Sequence, residues 1–176
     1  MTIMVTGGSG FIGSNFVIEW LDKHNEAIVN LDKLTYAGNP ENLASLRKNP
    51  NYIFFQEDIA NTSVVDKLLK DHNPRFIVNF AAESHVDRSI HFPENFIKTN
   101  IVGTFQLLES TRNYWNKLGG EEKTNLRFLH VSTDEVYGSL ELNDPAFSET
   151  HRYKPNSPYS ASKAASDHLV RAYYKT

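Results

Sequence analysis

The chain has 176 residues, 18 basic against 21 acidic, for a formal net charge of −3, and no block of like charge offers a footprint for nucleic acid or an anionic membrane. It contains no cysteine, which excludes disulfides, thiolate metal sites and a cysteine nucleophile. With 40% hydrophobic and 22% charged residues, and no apolar run near the roughly 20 residues a membrane span needs, the expectation is one ordinary domain or slightly more, soluble and cytoplasmic.

The apolar start at 1–5 has no basic leader and runs straight into glycines, so it reads as a strand (3–6) and not as a signal peptide. Phe11, Ile12, Phe16, Val17, Trp20 and Leu21 recur at helical spacing and predict a helix over 11–23. A second strand is predicted at 27–31, ending in Asp32, followed by a loop at 35–40 and a short helix from Glu41. A third strand covers 52–56. The helix after it runs through Val64, Val65, Leu68 and Leu69, with its cap near Asn61 or Thr62. A fourth strand at 76–80 is apolar on both faces apart from Asn79, as a buried parallel strand requires. One long helix is predicted over 93–114, interrupted by small residues at Gly103 and Thr104, and a fifth strand at 126–132. Residues 117–124 and 140–155 read as polar loops, the second long enough to serve as a lid or binding loop. Ser157 as N-cap and Pro158 at the first helical position start the last helix. Strands alternating with crossover helices predict an α/β fold, a Rossmann-like doubly wound parallel sheet with helices on both faces.

Gly7, Gly10 and Gly13 stand between the first strand and the first helix in a G-x-x-G-x-x-G spacing. Residues without a Cβ permit a tight turn and close approach to a pyrophosphate, and the helix N-terminus supplies N–H groups for the anion. Asp32, at the end of the second strand, stands at the distance from this loop where a carboxylate accepts from ribose hydroxyls and repels a 2′-phosphate. That favours NAD over NADP, although Lys33 next to it would tolerate the phosphate. Asp58 follows the third strand, where it could meet an adenine edge or serve as an acid near a helix N-cap; spacing leaves both open.

Tyr159 and Lys163 lie four residues apart and so share a helix face. A neighbouring ammonium favours the phenolate, which would pull the tyrosine's pKa down and make Tyr159 a candidate base for a substrate hydroxyl. Thr133, Asp134 and Glu135 follow the fifth strand at the sheet edge where such folds place ligands. On an extended strand the two carboxylates would point to opposite faces, so the chain must leave strand geometry at Thr133 or Asp134 if both serve one substrate. A solvated acidic turn is the other reading of the same residues. Ala81, Ala82, Glu83, Ser84 and His85 follow the fourth strand at the same edge, their small members allowing close packing on a cofactor. The histidines show no metal-ligand spacing and read as surface or structural residues, so no metal site is expected. Neither a serine-hydrolase elbow nor a phosphate-transfer loop occurs.

The glycine loop and the later Y-x-x-x-K pair resemble the extended short-chain dehydrogenase/reductase superfamily. The strings Leu-Thr-Tyr-Ala-Gly-Asn at 34–39, AAESHVDRSI at 81–90, TDEVYG at 133–138 and SPYSASK at 157–163 resemble, within it, the dTDP-glucose 4,6-dehydratase family. Ser9 stands where that family's loop usually has alanine. The resemblance implies NAD as a recycled oxidant, and a nucleotide-activated hexose, dTDP-glucose, as substrate. Tyr159, helped by Lys163 and Thr133, would take the sugar 4-hydroxyl proton; Glu135 would remove the C5 proton and Asp134 protonate the departing 6-hydroxyl. It also implies Phe11, Ile12, Asp32, Lys33, Leu34, Thr35, Asp58, Ile59, Ala81, Ala82, Glu83, Ser84 and Thr99 as cofactor contacts, with Ser84 and Thr133 facing the sugar. Deoxysugar synthesis of the dTDP-rhamnose type and a homodimer through the long helices follow from the same resemblance. By it, residues 1–176 are an incomplete NAD-binding Rossmann-like domain, truncated before the last strands, with the C-terminal substrate domain absent from this chain. Such a chain would keep some NAD affinity and turn over little alone. A 4-epimerase of the same superfamily, or a catalytically silent NAD-binding fragment, are the alternatives.

Overall fold

The computed structural model describes residues 1–176. The chain forms two compact units, the first from residues 1–81 and 106–131, the second from 82–105 and 132–176.

In the first unit, five parallel strands pair in the order β3-β2-β1-β4-β5. They are β1 (Thr2–Thr6), β2 (Ala27–Asp32), β3 (Tyr52–Gln56), β4 (Phe76–Asn79) and β5 (Arg127–His130). The order reverses between β1 and β4, the switch point at which doubly wound sheets bind ligands. Alternating side chains feed two cores, one on each face of the sheet. Met4, Leu31 and Ile77 pack with Val65, Leu68 and Leu69 of helix α2 (Thr62–His72) and with Leu107 and Tyr114 of the later helix Thr104–Lys117. On the other face Ile3, Val5, Ile28 and Val78 pack with Val17 of helix α1 (Phe11–Lys23) and with Leu43 and Leu46 of the 3-10 turn Pro40–Leu46. Helices on both faces explain why β1, β2 and β4 are buried along nearly their whole length.

The polar residues inside these strands are paired. Thr6 Oγ1 donates to Asn79 Oδ1 at 2.6 Å, and Asn79 Nδ2 lies 3.1 Å from His130 Nδ1. Asn30, wholly buried in β2, accepts from the Gly8 N–H at 3.1 Å and donates to the Tyr52 hydroxyl at 3.0 Å. These bonds let three buried polar side chains sit in a strand region otherwise filled by Val, Ile and Leu.

The second unit is built around α7 (Pro158–Lys175), which packs against α3 (Val86–His91), α4 (Pro93–Phe96), the segment Ile97–Gly103 and the 3-10 turn Asp134–Tyr137. The helix expected over 93–114, with an interruption at Gly103 and Thr104, forms three pieces: α4, one π-helical stretch at Ile97–Gly103, and α5 (Thr104–Lys117), the last junction falling at the expected interruption. Residues 117–124, expected as loop, include α6 (Gly120–Asn125), whose first turn carries Glu121 and Glu122 and whose last carries Lys123, charges that complement the helix dipole. Ser157 caps α7 as expected, and the capping box is closed by Ser160 in place of the usual Glu or Gln. No helix is long and apolar enough to cross a membrane.

Candidate active site

In the first unit the glycine loop follows β1 at the strand's C-terminal end. Gly7 has φ +70, and a Cβ there would lie 2.6 Å from the Ala81 backbone nitrogen, so both conformation and space demand glycine. Gly10 is different. Its backbone is extended, and the nearest atom to a built Cβ is the Gly7 carbonyl oxygen at an ordinary 3.5 Å. The protein's own packing therefore gives no reason for glycine at 10, whereas a ligand pressed against the loop would. Gly10 is also the N-cap of α1, yet no side chain caps this end and no acid occupies its first turn. Phe11 and Ile12 are 82% and 61% exposed, large apolar side chains left in the open at the mouth of a positive helix end. Gly13 is buried directly beneath the loop.

Asp32 is buried at the end of β2. Its Oδ2 accepts from the Ser9 N–H and its Oδ1 from the Leu34 N–H, both at 2.8 Å. A carboxylate offers about four acceptor positions, so each oxygen keeps one for a hydroxyl. Leu34 adopts φ 55, rare outside glycine, and turns the chain sharply before the exposed Thr35. Lys33 is held by Asp58 at 2.6 Å, while Asp58 Oδ1 accepts from the Ala60 N–H at 2.9 Å. Burial pushes the Asp58 carboxyl up, but the Lys33 bond, the Ala60 N–H and the Lys33 charge together hold it below its ordinary value. Asp58 is thus a turn residue, and Asn61 caps α2 without a side-chain bond. The Ile59 side chain is in the core, which leaves only its backbone for a ligand. An uncapped helix N-terminus, a glycine that packing does not explain and a buried carboxylate with spare acceptors together suit a dinucleotide.

In the second unit, Thr133, Asp134 and Glu135 do leave strand geometry. Strand β5 ends at His130, Thr133 is extended, and Asp134 opens a 3-10 turn in which the Glu135 N–H donates to Thr133 Oγ1 at 3.3 Å. Asp134 is exposed and Glu135 half-buried. Tyr159 and Lys163 are buried on α7, at 9% and 3% exposure. Tyr159 departs from the expectation. Burial pushes the phenol above its ordinary value, a hydrogen bond from Thr133 works the other way, and the charges of Glu135, Asp134 and Asp167 add to the rise. Burial also drives the Lys163 ammonium down, to about 8, against the opposing charge of Asp167. Desolvation and the three carboxylates set the direction for Tyr159, and a cation brought by a ligand would act against it.

Ala82, Glu83 and Ser84 lie outside regular structure just before α3, with Ser84 exposed and Thr99 half-buried in the π-helical stretch. A buried residue that spacing did not point out, Asn100, holds this segment. Its Oδ1 accepts from the Glu83 N–H at 2.8 Å, and its Nδ2 donates to the Glu83 carbonyl at 2.9 Å and to Ser162 Oγ at 2.8 Å. The available signal was a polar residue amid an apolar helix face, and the π-helical turn is the local irregularity that accompanies it. Ser162 donates onward to the Tyr159 carbonyl at 2.6 Å. The small residues of α7 thus serve close helix packing.

Residues 4–176 match the family described as GDP-mannose 4,6 dehydratase. Among curated relatives, a dTDP-glucose 4,6-dehydratase of Xanthomonas campestris is 57% identical over 99% of this chain and 49% of its own length. One of Haemophilus influenzae is 50% identical over 100% of this chain and 52% of its own. The chain therefore spans about half the length of the curated relatives it matches. Among solved structures, the Bacillus anthracis dTDP-glucose 4,6-dehydratase in complex with NAD superposes with a TM-score of 0.84 at 43% identity, covering 99% of this chain and 51% of that one. The Streptomyces venezuelae enzyme with NAD and TYD bound gives 0.88 at 42% identity, covering 100% and 52%. Both superpositions extend over the Rossmann-like parallel sheet. With the match running through residues 4–176, the chain belongs to the GDP-mannose 4,6 dehydratase family and resembles, within it, the dTDP-glucose 4,6-dehydratases.

Proposed function

We propose that this chain provides the NAD-binding and proton-transfer residues of a dTDP-glucose 4,6-dehydratase, a hydro-lyase. The observation that carries the reading is the carboxylate pair Asp134–Glu135 on a turn whose charges bear on the Tyr159 phenol. Removing hydroxide from a sugar needs an acid and a base on one substrate, and adjacent carboxylates of unequal exposure can divide those roles. In this reading Tyr159, hydrogen-bonded by Thr133, takes the 4-hydroxyl proton, and the Lys163 ammonium supports the resulting phenolate. Glu135, the more buried acid, removes the C5 proton; Asp134 delivers a proton to the departing 6-hydroxyl. Ser84 and Thr133 orient the sugar.

The residues assigned to NAD are Gly7, Gly10, Phe11, Ile12 and Gly13 at the pyrophosphate, and Asp32, Lys33, Leu34 and Thr35 at the adenosine ribose. Asp58 and Ile59 are assigned to the adenine, and Ala81, Ala82, Glu83, Ser84, Thr99, Tyr159 and Lys163 to the nicotinamide side. When bound, NAD supplies the oxidant for C4 and the reductant for C6. The Asp32 carboxylate disfavours a 2′-phosphate there, and the Lys33 charge is already engaged by Asp58. Residues 1–176 are read as the cofactor-binding part of the enzyme. We further assign it to dTDP-rhamnose-type deoxysugar synthesis in the cytoplasm, as a homodimer. Ile97, Val102 and Phe105, 46%, 44% and 38% exposed along the helices after β4, support the dimer.

The test is incubation of the purified protein with NAD and dTDP-glucose, followed by mass spectrometry of the sugar nucleotide. Little turnover is expected from residues 1–176 alone, and loss of one water from whatever sugar nucleotide is converted. An isomeric product of unchanged mass would establish the 4-epimerase instead, and NAD binding with unaltered sugar would leave only a cofactor-binding role.

A further inference from the structure

Helix α7 carries, one turn beyond Lys163, a carboxylate that the roles above leave unused. Asp167 Oδ2 accepts two hydrogen bonds, from Ser132 Oγ at 2.6 Å and from the Tyr153 hydroxyl at 3.0 Å. Ser132 immediately precedes Thr133, whose hydroxyl caps the turn bearing Asp134 and Glu135. Tyr153 belongs to the 140–155 segment; its ring packs edge-on against Tyr137 of that turn at 5.4 Å and lies tilted against His168 at 5.2 Å. Burial and the Asp167 charge push the Tyr153 phenol up to about 12, so it remains a donor. One carboxylate oxygen thus joins the helix, the acidic turn and the long loop.

Hydrogen bonding alone does not require a charge here, since an amide oxygen would accept the same two bonds. A buried cation does. Lys163 is 3% exposed, and Asp167 is the charge that opposes its desolvation. From the turn packed against α7, Asp134 and Glu135 bear on Tyr159, as Asp167 also does. We propose that Asp167 is a positioning residue of the proton-transfer set: it anchors Ser132 and Tyr153 to α7 and keeps the buried Lys163 side chain an ammonium. The inference rests on the reading of Tyr159 and Lys163 given above.

Two variants separate charge from bonding. Asp167→Asn keeps both acceptor bonds and removes the charge, whereas Ser132→Ala combined with Tyr153→Phe keeps the charge and removes the bonds. The readouts are the ¹³Cε titration of Lys163 in the purified protein and amide hydrogen exchange of residues 132–137. Asp167→Asn is expected to lower the Lys163 midpoint by roughly one pH unit, about a tenfold loss of ammonium at a fixed alkaline pH, with exchange at 132–137 little changed. Asp167→Glu should restore the midpoint. The double variant should leave Lys163 in place and speed exchange at 132–137 by about fivefold, the loss of two ordinary bonds at the low end of their range. An unmoved Lys163 midpoint in Asp167→Asn, or unmoved exchange in the double variant, overturns the proposal. Turnover that survives Tyr159→Phe would sink the proposed function instead, and the Lys163 titration would still decide the part played by Asp167.

Discussion

Asn100 offers the sharpest test of how the second unit is held together. Replacing it by leucine keeps side-chain size but removes three hydrogen bonds, two to the Glu83 backbone and one to Ser162. Ser162 keeps its bond to the Tyr159 carbonyl, and the half-buried Glu83 groups are within reach of water. The cost is therefore about 1 kcal/mol per bond, at the modest end of the range, or roughly 3 kcal/mol in total. For a chain of this length that corresponds to a fall in Tm of roughly 6–12 °C. Urea unfolding monitored by circular dichroism gives the free energy, and hydrogen exchange at the Glu83 amide reports the bond itself. Asn100→Asp adds a chemical signature. Its carboxylate can accept from Glu83 N–H but faces the Glu83 carbonyl without a proton, so its destabilisation should shrink on acidification as the acid becomes a donor. A leucine variant within about 0.5 kcal/mol of the parent, the range of an indifferent surface change, or unchanged Glu83 exchange, would refute the reasoning.

Three further outcomes follow from the same structure. Gly7→Ala should unfold the loop at β1 and abolish NAD binding by calorimetry, because φ +70 and an atom 2.6 Å away both exclude a Cβ; Gly119→Ala, with nothing within 4 Å, should leave binding intact, and equal effects would contradict this account. Lys163 titrates at about 8 in the folded protein against 10.5 ordinarily, so the folded state binds fewer protons between those values and stability rises with pH across that window. Lys163→Met should accordingly gain roughly 1–3 kcal/mol at pH 7, a difference that urea midpoints should show fading as the pH approaches 10.5; a constant difference would mean that packing, not charge, decides. Thr133→Val removes the hydrogen bond that favours the phenolate, so the Tyr159 ultraviolet titration should move further up, and a downward move would place that bond elsewhere.

Much of the fold was legible because it depends on short-range regularities. The strand limits 52–56 and the helix 11–23 follow from apolar spacing bounded by turn residues, and the structure has the same bounds. The glycine spacing fixed the place of the loop after β1, since an absent Cβ is a local property. Strands alternating with crossover helices announced helices on both faces, and Ile3 and Val5 on one face of β1 and Met4 on the other pack accordingly. At the acidic pair, pleat geometry stated the condition that the chain must leave the strand, and the turn at Asp134–Tyr137 meets it.

What the sequence could not decide were the interactions between residues far apart in the chain. Asn100 reaches Glu83 and Ser162, and Asp167 reaches Ser132 and Tyr153; only tertiary packing makes these neighbours. The direction of the Tyr159 shift belongs to the same class. The i,i+4 spacing shows Lys163 beside the phenol, but burial of both groups and the acids brought in from the 134–135 turn decide the balance, because desolvation is a property of the packed interior. Local helix preference likewise marks only the end of the 97–103 stretch, at Gly103 and Thr104, and not its π-helical form. The amino-acid order determined the strands, the loop and the chemical groups; tertiary structure determined which charges those groups must live beside.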